Sequence, residues 1–348
     1  EGDVFVCEPV HNLVLRSALA PSGFTFTAKR APGEEQSEFL SSTDNWFRPV
    51  MVRTGPDGAM YVVDMYREVI EHPEYISKET QATLNLRAGD DRGRIYRILP
   101  VHESARAVPM LANATPAELV AALESPNGAL RDMAHQLLIE RADVSAIPLL
   151  AALLRNAHTA QARLHALCAL DGLSAITAQD LLTGLNDLSP GVRQHAVRIA
   201  ATSAMETPEI ISRIIALSTD ENAFVRKEVI YALPQLASNE AVTAFSKIIG
   251  ADGNDPYAGM ALLSSLNASN VNALVPALVN WSNTGAETPA RDQVYPAIVG
   301  IAMAANDQKT LLALAVESTK QGSESNDSST FARLAKFLDA MQTKGASL

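Results

Sequence analysis

Only two cysteines, Cys7 and Cys168, occur in the 348 residues, one in each half, with no Cys-x-x-Cys and no Cys/His cluster around them. A structural zinc site of ordinary spacing is thereby excluded, as is attachment of a c-type haem within this chain. Each thiol reads as a small buried hydrophobe. Cations are also short: 28 Lys and Arg face 39 Asp and Glu, for a formal charge of −11 and a pI near 5.1. That balance argues against phosphate-backbone binding, which needs clustered Lys and Arg, so no nucleic-acid partner is expected. No apolar run approaches the roughly 20 residues that a membrane helix requires, so no transmembrane segment is expected in this chain. No Gly-rich phosphate loop and no Ser/His/Asp arrangement of recognisable spacing is present. What remains is 47% hydrophobic content at a mean hydropathy near zero, the profile of a globular chain long enough for two domains.

Residues 1–104 read as β-structure with irregular connections. Val4–Val6, Leu13–Leu15, Phe24–Ala28 and Arg94–Leu99 are short strand candidates. The strongest signal is a hairpin in which Pro49–Arg53 and Ala59–Asp64 flank Gly55-Pro56-Asp57-Gly58. There Pro56 presets φ and Gly58 takes the φ > 0 position that closes the turn. Both strands are apolar on both faces, which suits a sheet packed between two neighbours, as in a propeller blade. Six short strands amount to about one and a half four-stranded blades, so the expected module is incomplete. Glu68–Arg87 is a long excursion with room for one helical turn.

Several stretches here are similar to successive motifs of one family. They are Glu8-Pro9-Val10-His11-Asn12-Leu13-Val14, the run Phe39 to Pro49 with Asp44-Asn45-Trp46-Phe47-Arg48, Gly55-Pro56-Asp57-Gly58, Asp64-Met65-Tyr66-Arg67, Ile70-Glu71-His72-Pro73 and Gly93-Arg94-Ile95-Tyr96-Arg97. The family they resemble is the membrane-bound dehydrogenases, also described as haem-binding propeller proteins, of planctomycetes and verrucomicrobia. The resemblance implies the last one or two blades of a β-propeller. It also implies a periplasmic or otherwise extracytoplasmic parent that oxidises a sugar or alcohol and passes electrons to a c-type haem module carried elsewhere. The start at Glu1, without Met or signal peptide, fits a fragment that begins inside a domain.

From Ala105 to Leu348 Ala and Leu dominate and the pattern turns helical. Thr115-Pro116-Ala117-Glu118 is a capping box with Pro at the first helical position. Leu123 to Ala134 is echoed by Leu185 to Ala196 and by Leu217 to Glu228, with a diverged copy from Leu154 to Ala166. The arginines of these copies, Arg131, Arg163, Arg193 and Arg226, step by 32, 30 and 33 residues. A period near 30 with two amphipathic segments per copy resembles HEAT-type repeats, in which each helix pair buries its stripe only against the next. The arginines suit bonds to Asp or carbonyl groups of the neighbouring turn. Later copies open at Asp255 and Arg291, Gly322–Ser329 reads as a loop, and Phe331, Leu334, Phe337 and Leu338 share a last helical face.

Candidate chemistry is confined to the β part. His11, Asp64 and Arg67 can line a pocket as base, orienting acid and anion holder. The alternative is an Asp64–Arg67 ion pair locking a turn, with His11 bonded to a carbonyl. Arg48, Trp46 and His72 are the candidates for holding a cofactor, Trp46 and Phe47 beside Arg48 as a cation–π lid or as packing between blades. Gly89-Asp90-Asp91-Arg92-Gly93 reads as a solvated turn rather than a calcium loop, and no metal site is expected. The cofactor stays unidentified. The expected whole is an α+β multidomain chain, partial propeller at 1–104 and HEAT-like α-solenoid at 105–348. It acts as a docking scaffold for a protein partner or for the parent's own other domains, or as a spacer between them, and is inactive alone as a dehydrogenase.

Overall fold

A computed structural model describes residues 2–104, 106–202, 207–235, 239–284, 288–320 and 327–345. It divides into two compact units, Glu1–Ser22 with Phe26–Leu149, and Gly23–Thr25 with Leu150–Leu348.

Among the described residues seven strands form two antiparallel sheets. In the first, β1 (Asp3–Glu8) pairs with β2 (Leu13–Ser22) in a register that sets Cys7 opposite Val14. β3 (Thr25–Arg30) and the two-residue β4 (Leu40–Ser41) also pair with β2. The second sheet is β5 (Pro49–Thr54), β6 (Met60–Asp64) and β7 (Arg94–Ile98) in that order. The expected hairpin is present: Gly58 N–H donates to Gly55 O at 2.9 Å and Gly58 has φ +81°. β1 lies against β5, and Val14, Phe47 and Val62 form the core, joined by Phe5, Cys7 and Val52. Cys7 is thus half-buried at the edge of a core, close to the hydrophobe expected. Met51 and Ile95 flank Val63 across the opposite face of the second sheet, and both are exposed. Seven strands in two small sheets close no ring among the described residues, so the propeller expectation reaches only as far as antiparallel sheet. The excursion after β6 holds a 3-10 turn at Pro73–Tyr75 and the one-turn helix α1 (Lys78–Gln81).

Helix begins in earnest at α2 (Pro116–Ala122), with the capping box formed as the residues predicted. Asn127 then caps α3 (Gly128–Arg141) and its amide donates to Gly55 O and Pro56 O, both at 3.0 Å, fastening the hairpin turn to this helix. After that the chain alternates. First helices α4 (Ile147–Asn156), α6 (Ala178–Leu185), α8 (Pro208–Ala216), α10 (Asn239–Asp252) and α12 (Val271–Asn283) each lead into a second helix. Those are α5 (Ala160–Gly172), α7 (Pro190–Thr202), α9 (Ala223–Ala232), α11 (Pro256–Ser264), and α13 (Pro289–Asp292) continuing as α14 (Val294–Ala304). The pair α15 (Gln308–Thr319) and α16 (Asp327–Thr343) comes last.

From α5 onward like packs on like: α5 touches α7, α7 touches α9 and α9 touches α11, while α6 touches α8, α8 touches α10 and α10 touches α12. Two layers of helices, each stacked on its counterpart in the next pair, make this part a helical solenoid. The buried face of α16 is Phe337, Ala340 and Met341, whereas Phe331 and Leu338 of the expected face are exposed. Most of the expected loop at Gly322–Ser329 lies outside the described residues, and its last three residues are already helix.

Candidate functional site

Asp64 ends β6 fully buried, and its Oδ1 accepts from Arg48 N–H and Tyr66 N–H, both at 2.8 Å. Its Oδ2 has no hydrogen-bond partner and lies 3.9 Å from Arg94 Nε. Arg94, not Arg67, is therefore the cation at this carboxylate. Arg67 donates its backbone N–H to Trp46 O at 3.0 Å, and its Nη1 is buried without a partner. Arg48 spends its guanidinium on carbonyls: Nε on Arg67 O at 2.9 Å, Nη1 on Pro9 O at 2.8 Å and Nη2 on Glu68 O at 3.0 Å. The cation over a ring is Arg94, 3.7 Å from the centroid of Tyr66, with Trp46 on that same ring at 5.7 Å. So Arg48, Trp46, Asp64 and Arg67 come together at the open end of the hairpin, where β5 begins and β6 ends.

Among the described contacts neither the His11 nor the His72 side chain reaches that group. His11 is 73% exposed with Nδ1 3.6 Å from Glu8 Oε1. Exposed His72 uses Nδ1 to accept Glu74 N–H at 3.3 Å, capping the 3-10 turn. A residue that sequence reasoning passed over is Asp57. Burial acts to raise its pKa, but hydrogen bonds from Ala59 N–H and the Tyr61 hydroxyl and the ion pair with Arg97 hold it below the usual carboxylate range. It locks the hairpin turn to β7.

The solenoid carries a more regular construction. Arg163 forks onto Asp187 (Nε–Oδ2 2.6 Å, Nη2–Oδ1 2.8 Å), Arg193 onto Asp220 (2.8 and 2.9 Å) and Arg226 onto Asp252 (2.7 and 2.6 Å). In each case Nη1 turns back to two carbonyls of its own turn: Ala157 and His158, Asp187 and Leu188, Asp220 and Glu221. Bidentate geometry fixes orientation as well as distance, so each rung sets the pitch between one pair and the next. The charged hydrogen bond to Asp187 raises the Arg163 pKa, as that to Asp252 raises the Arg226 pKa, against the opposing effect of burial. Among the described residues Arg131 reaches only Ser125 O, at 2.7 Å, and its Nε is buried without a partner. The positions 24 to 27 residues beyond Arg131, which supply Asp in the other copies, are Arg155, Asn156, Ala157 and His158.

Because the rungs repeat, so do the positions they leave open. One, two and five residues after each arginine the side chains are half-buried or exposed: Leu164, His165 and Cys168; Gln194, His195 and Arg198; Lys227, Glu228 and Tyr231. One residue before and three and four after, they are: Ala162, Ala166 and Leu167; Val192, Ala196 and Val197; Val225, Val229 and Ile230. Open residues of successive helices meet, with Gln194 Nε2 3.4 Å from Glu228 Oε2 and Cys168 Sγ 3.9 Å from His195 Nδ1. Arg198 Nη2 is 3.3 Å from His195 Nδ1, and since guanidinium only donates, that nitrogen is the acceptor of a neutral imidazole. Burial, then the Arg198 charge, pushes the His195 pKa down. Burial pushes the Cys168 thiol up, so it stays protonated at neutral pH and is no activated nucleophile. The strip holds two cations, one acid, two histidines and one tyrosine, a mixed surface without a dominant sign.

Among the described residues no group of three or more His, Cys, Asp or Glu is placed to hold a metal ion. No described helix is long and apolar enough to cross a membrane.

Residues 1–102 match a domain of unknown function, DUF7133, and residues 178–267 match HEAT repeats. The second match spans α6 to α11 and all three rung aspartates, Asp187, Asp220 and Asp252. Neither match supports the dehydrogenase resemblance, and no curated protein matches. Among solved structures, a designed armadillo repeat protein in complex with the peptide (KR)4 is 20% identical, over 65% of this chain and 99% of that one, at a TM-score of 0.29. An engineered protein is 21% identical over 66% and 98%, at 0.27, and a second designed armadillo repeat protein 18% identical over 64% and 100%, at 0.30.

Proposed function

We propose that the solenoid is a protein-binding scaffold and that its recognition surface is the open strip on α5, α7 and α9. The observation that carries this is the coincidence of two repeats in one set of helices. Buried Arg–Asp rungs at one position hold the pitch, and open side chains at fixed offsets from them present a pre-arranged line to a partner. The mixed composition narrows the partner to a protein segment with donors, acceptors and apolar groups in alternation, not a polyanion. A second reading, a spacer between other domains, is favoured by the same lack of an apolar or singly charged patch. A photo-crosslinking residue at Arg198 or Tyr231 should capture one defined protein that a residue at Glu209 on α8 does not, and Gln194→Ala with Lys227→Glu should weaken that capture. Equal labelling from both faces would leave the spacer.

The N-terminal motifs extend the proposal to the parent: an extracytoplasmic dehydrogenase whose redox chemistry resides outside these residues. Motif resemblance is the whole support for that extension. Purified as it stands, the chain should oxidise no sugar or alcohol with an artificial electron acceptor; turnover above a heat-killed control would contradict this.

A further inference from the structure

Asn127-Gly128 is the one Asn-Gly pair in the 348 residues. Asn before Gly is the dipeptide at which a side-chain amide is lost most readily, because a residue without Cβ leaves its backbone nitrogen free to reach Cγ of the asparagine. The bond from Gly128 N to Cγ forms, the Cγ–Nδ2 bond breaks and ammonia leaves. Water then opens the resulting succinimide to aspartate or to isoaspartate.

In the folded chain this amide is engaged on both sides. Oδ1 accepts Ala129 N–H at 3.0 Å and caps α3, while Nδ2 donates to Gly55 O and Pro56 O, both at 3.0 Å. One side needs an acceptor and the other a donor, so an amide meets both demands where a carboxylate meets only the first. The backbone opposes the reaction as well. Ring closure needs Gly128 N on the Cβ side of the Cα–C bond, whereas the extended backbone of Asn127, at ψ 113°, turns it away. Asn127 therefore reacts only from a state in which the hairpin turn has lifted off α3 and the first turn of the helix has loosened. We propose that Asn127 is a modification site that works as a one-way release. Each lifting of the turn opens the residue to deamidation, and neither product can remake the tie, since a carboxylate only accepts and would face two carbonyl oxygens.

The test incubates the whole chain at mildly alkaline pH, folded or in urea, and follows conversion at 127 by peptide mass spectrometry. Conversion of the folded chain should be roughly 10–100-fold slower than in urea, because it passes through local opening. Converted molecules should exchange the hairpin amides of Gly55, Gly58 and Ala59 faster than unconverted ones. Asn127→Asp makes one product directly. Aspartate caps a helix as well as asparagine does, so α3 keeps its cap and only the tie is lost. Exchange at those three amides should then rise roughly tenfold. Gly128→Ala, whose Cβ would meet nothing nearer than Arg131 Nη2 at 3.5 Å, should suppress conversion and leave exchange as it was. Equal rates folded and in urea would overturn the proposal, as would unchanged exchange in Asn127→Asp. A folded chain that does not convert at all would make Asn127 a permanent tie and overturn the release.

Discussion

Arg193 and Arg131 occupy the same position in their repeats but different electrostatic situations. Arg193 is buried and forks onto Asp220, so Asp220→Ala leaves a buried cation without its counter-charge. That change should cost about 3–5 kcal/mol in urea unfolding. Arg131 has no carboxylate and donates to a single carbonyl, so Arg131→Ala should cost only about 1 kcal/mol. Similar losses in the two variants would mean the rungs do not set stability. His195 supplies a pH test. Its folded pKa lies below the ordinary 6.5, so between the two values the unfolded chain binds more protons than the folded one. Its contribution is present above 6.5 and is lost as pH falls through the depressed folded value. His195→Gln should flatten the decline in unfolding free energy below pH 6.5 relative to the parent chain, and an unchanged slope would show that the imidazole charges freely in the fold.

Within the elements, two helical glycines make opposite predictions. A Cβ on Gly259 in α11 would sit 2.7 Å from Ala290 Cβ and 3.2 Å from the Trp281 ring, so this residue allows α11 and α13 to approach. Gly259→Ala should destabilise by about 1–3 kcal/mol through overpacking. A Cβ on Gly191 in α7 would meet nothing nearer than Ser189 Oγ at 3.7 Å. Gly191→Ala should stabilise by about 0.4–1 kcal/mol, by reducing the freedom of the unfolded chain. Thermal melts of the two variants should shift in opposite directions. Both are glycines in helical sequence, and neither pattern nor propensity tells them apart. The difference is the neighbouring helix.

For the whole molecule, charge sets one expectation. The arginines of β7 lie beside the buried Asp64 and Asp57 on a chain with 39 acidic and 28 basic side chains, and the three arginines of the rungs are tied to aspartate. Duplex DNA should therefore not be retarded by the protein in a gel at about 0.15 M salt, where nonspecific binding depends on releasing counterions. Tight, salt-sensitive retardation would show that a cationic surface dominates the field despite the net charge.

The amino-acid sequence by itself determined the elements and the repeat. Pro56 and Gly58 encode a turn, Thr115 to Glu118 encode a cap, and arginines about 30 residues apart encode stacked pairs, because each signal acts over a few bonds or recurs at a fixed interval. The acidic total also favoured structural bonds for the arginines over an outward-facing basic ladder. Tertiary structure decided the rest. Which carboxylate each arginine holds lies 24 to 27 residues along the chain, and only the stacking of successive pairs brings it within reach. Asp64 faces Arg94 rather than the nearer Arg67 because β6 pairs with β7 in a register that aligns them. The open strip is likewise invisible beforehand: a half-polar helix has several faces that could be left to solvent, and the burial of the adjoining helices selects the one that is.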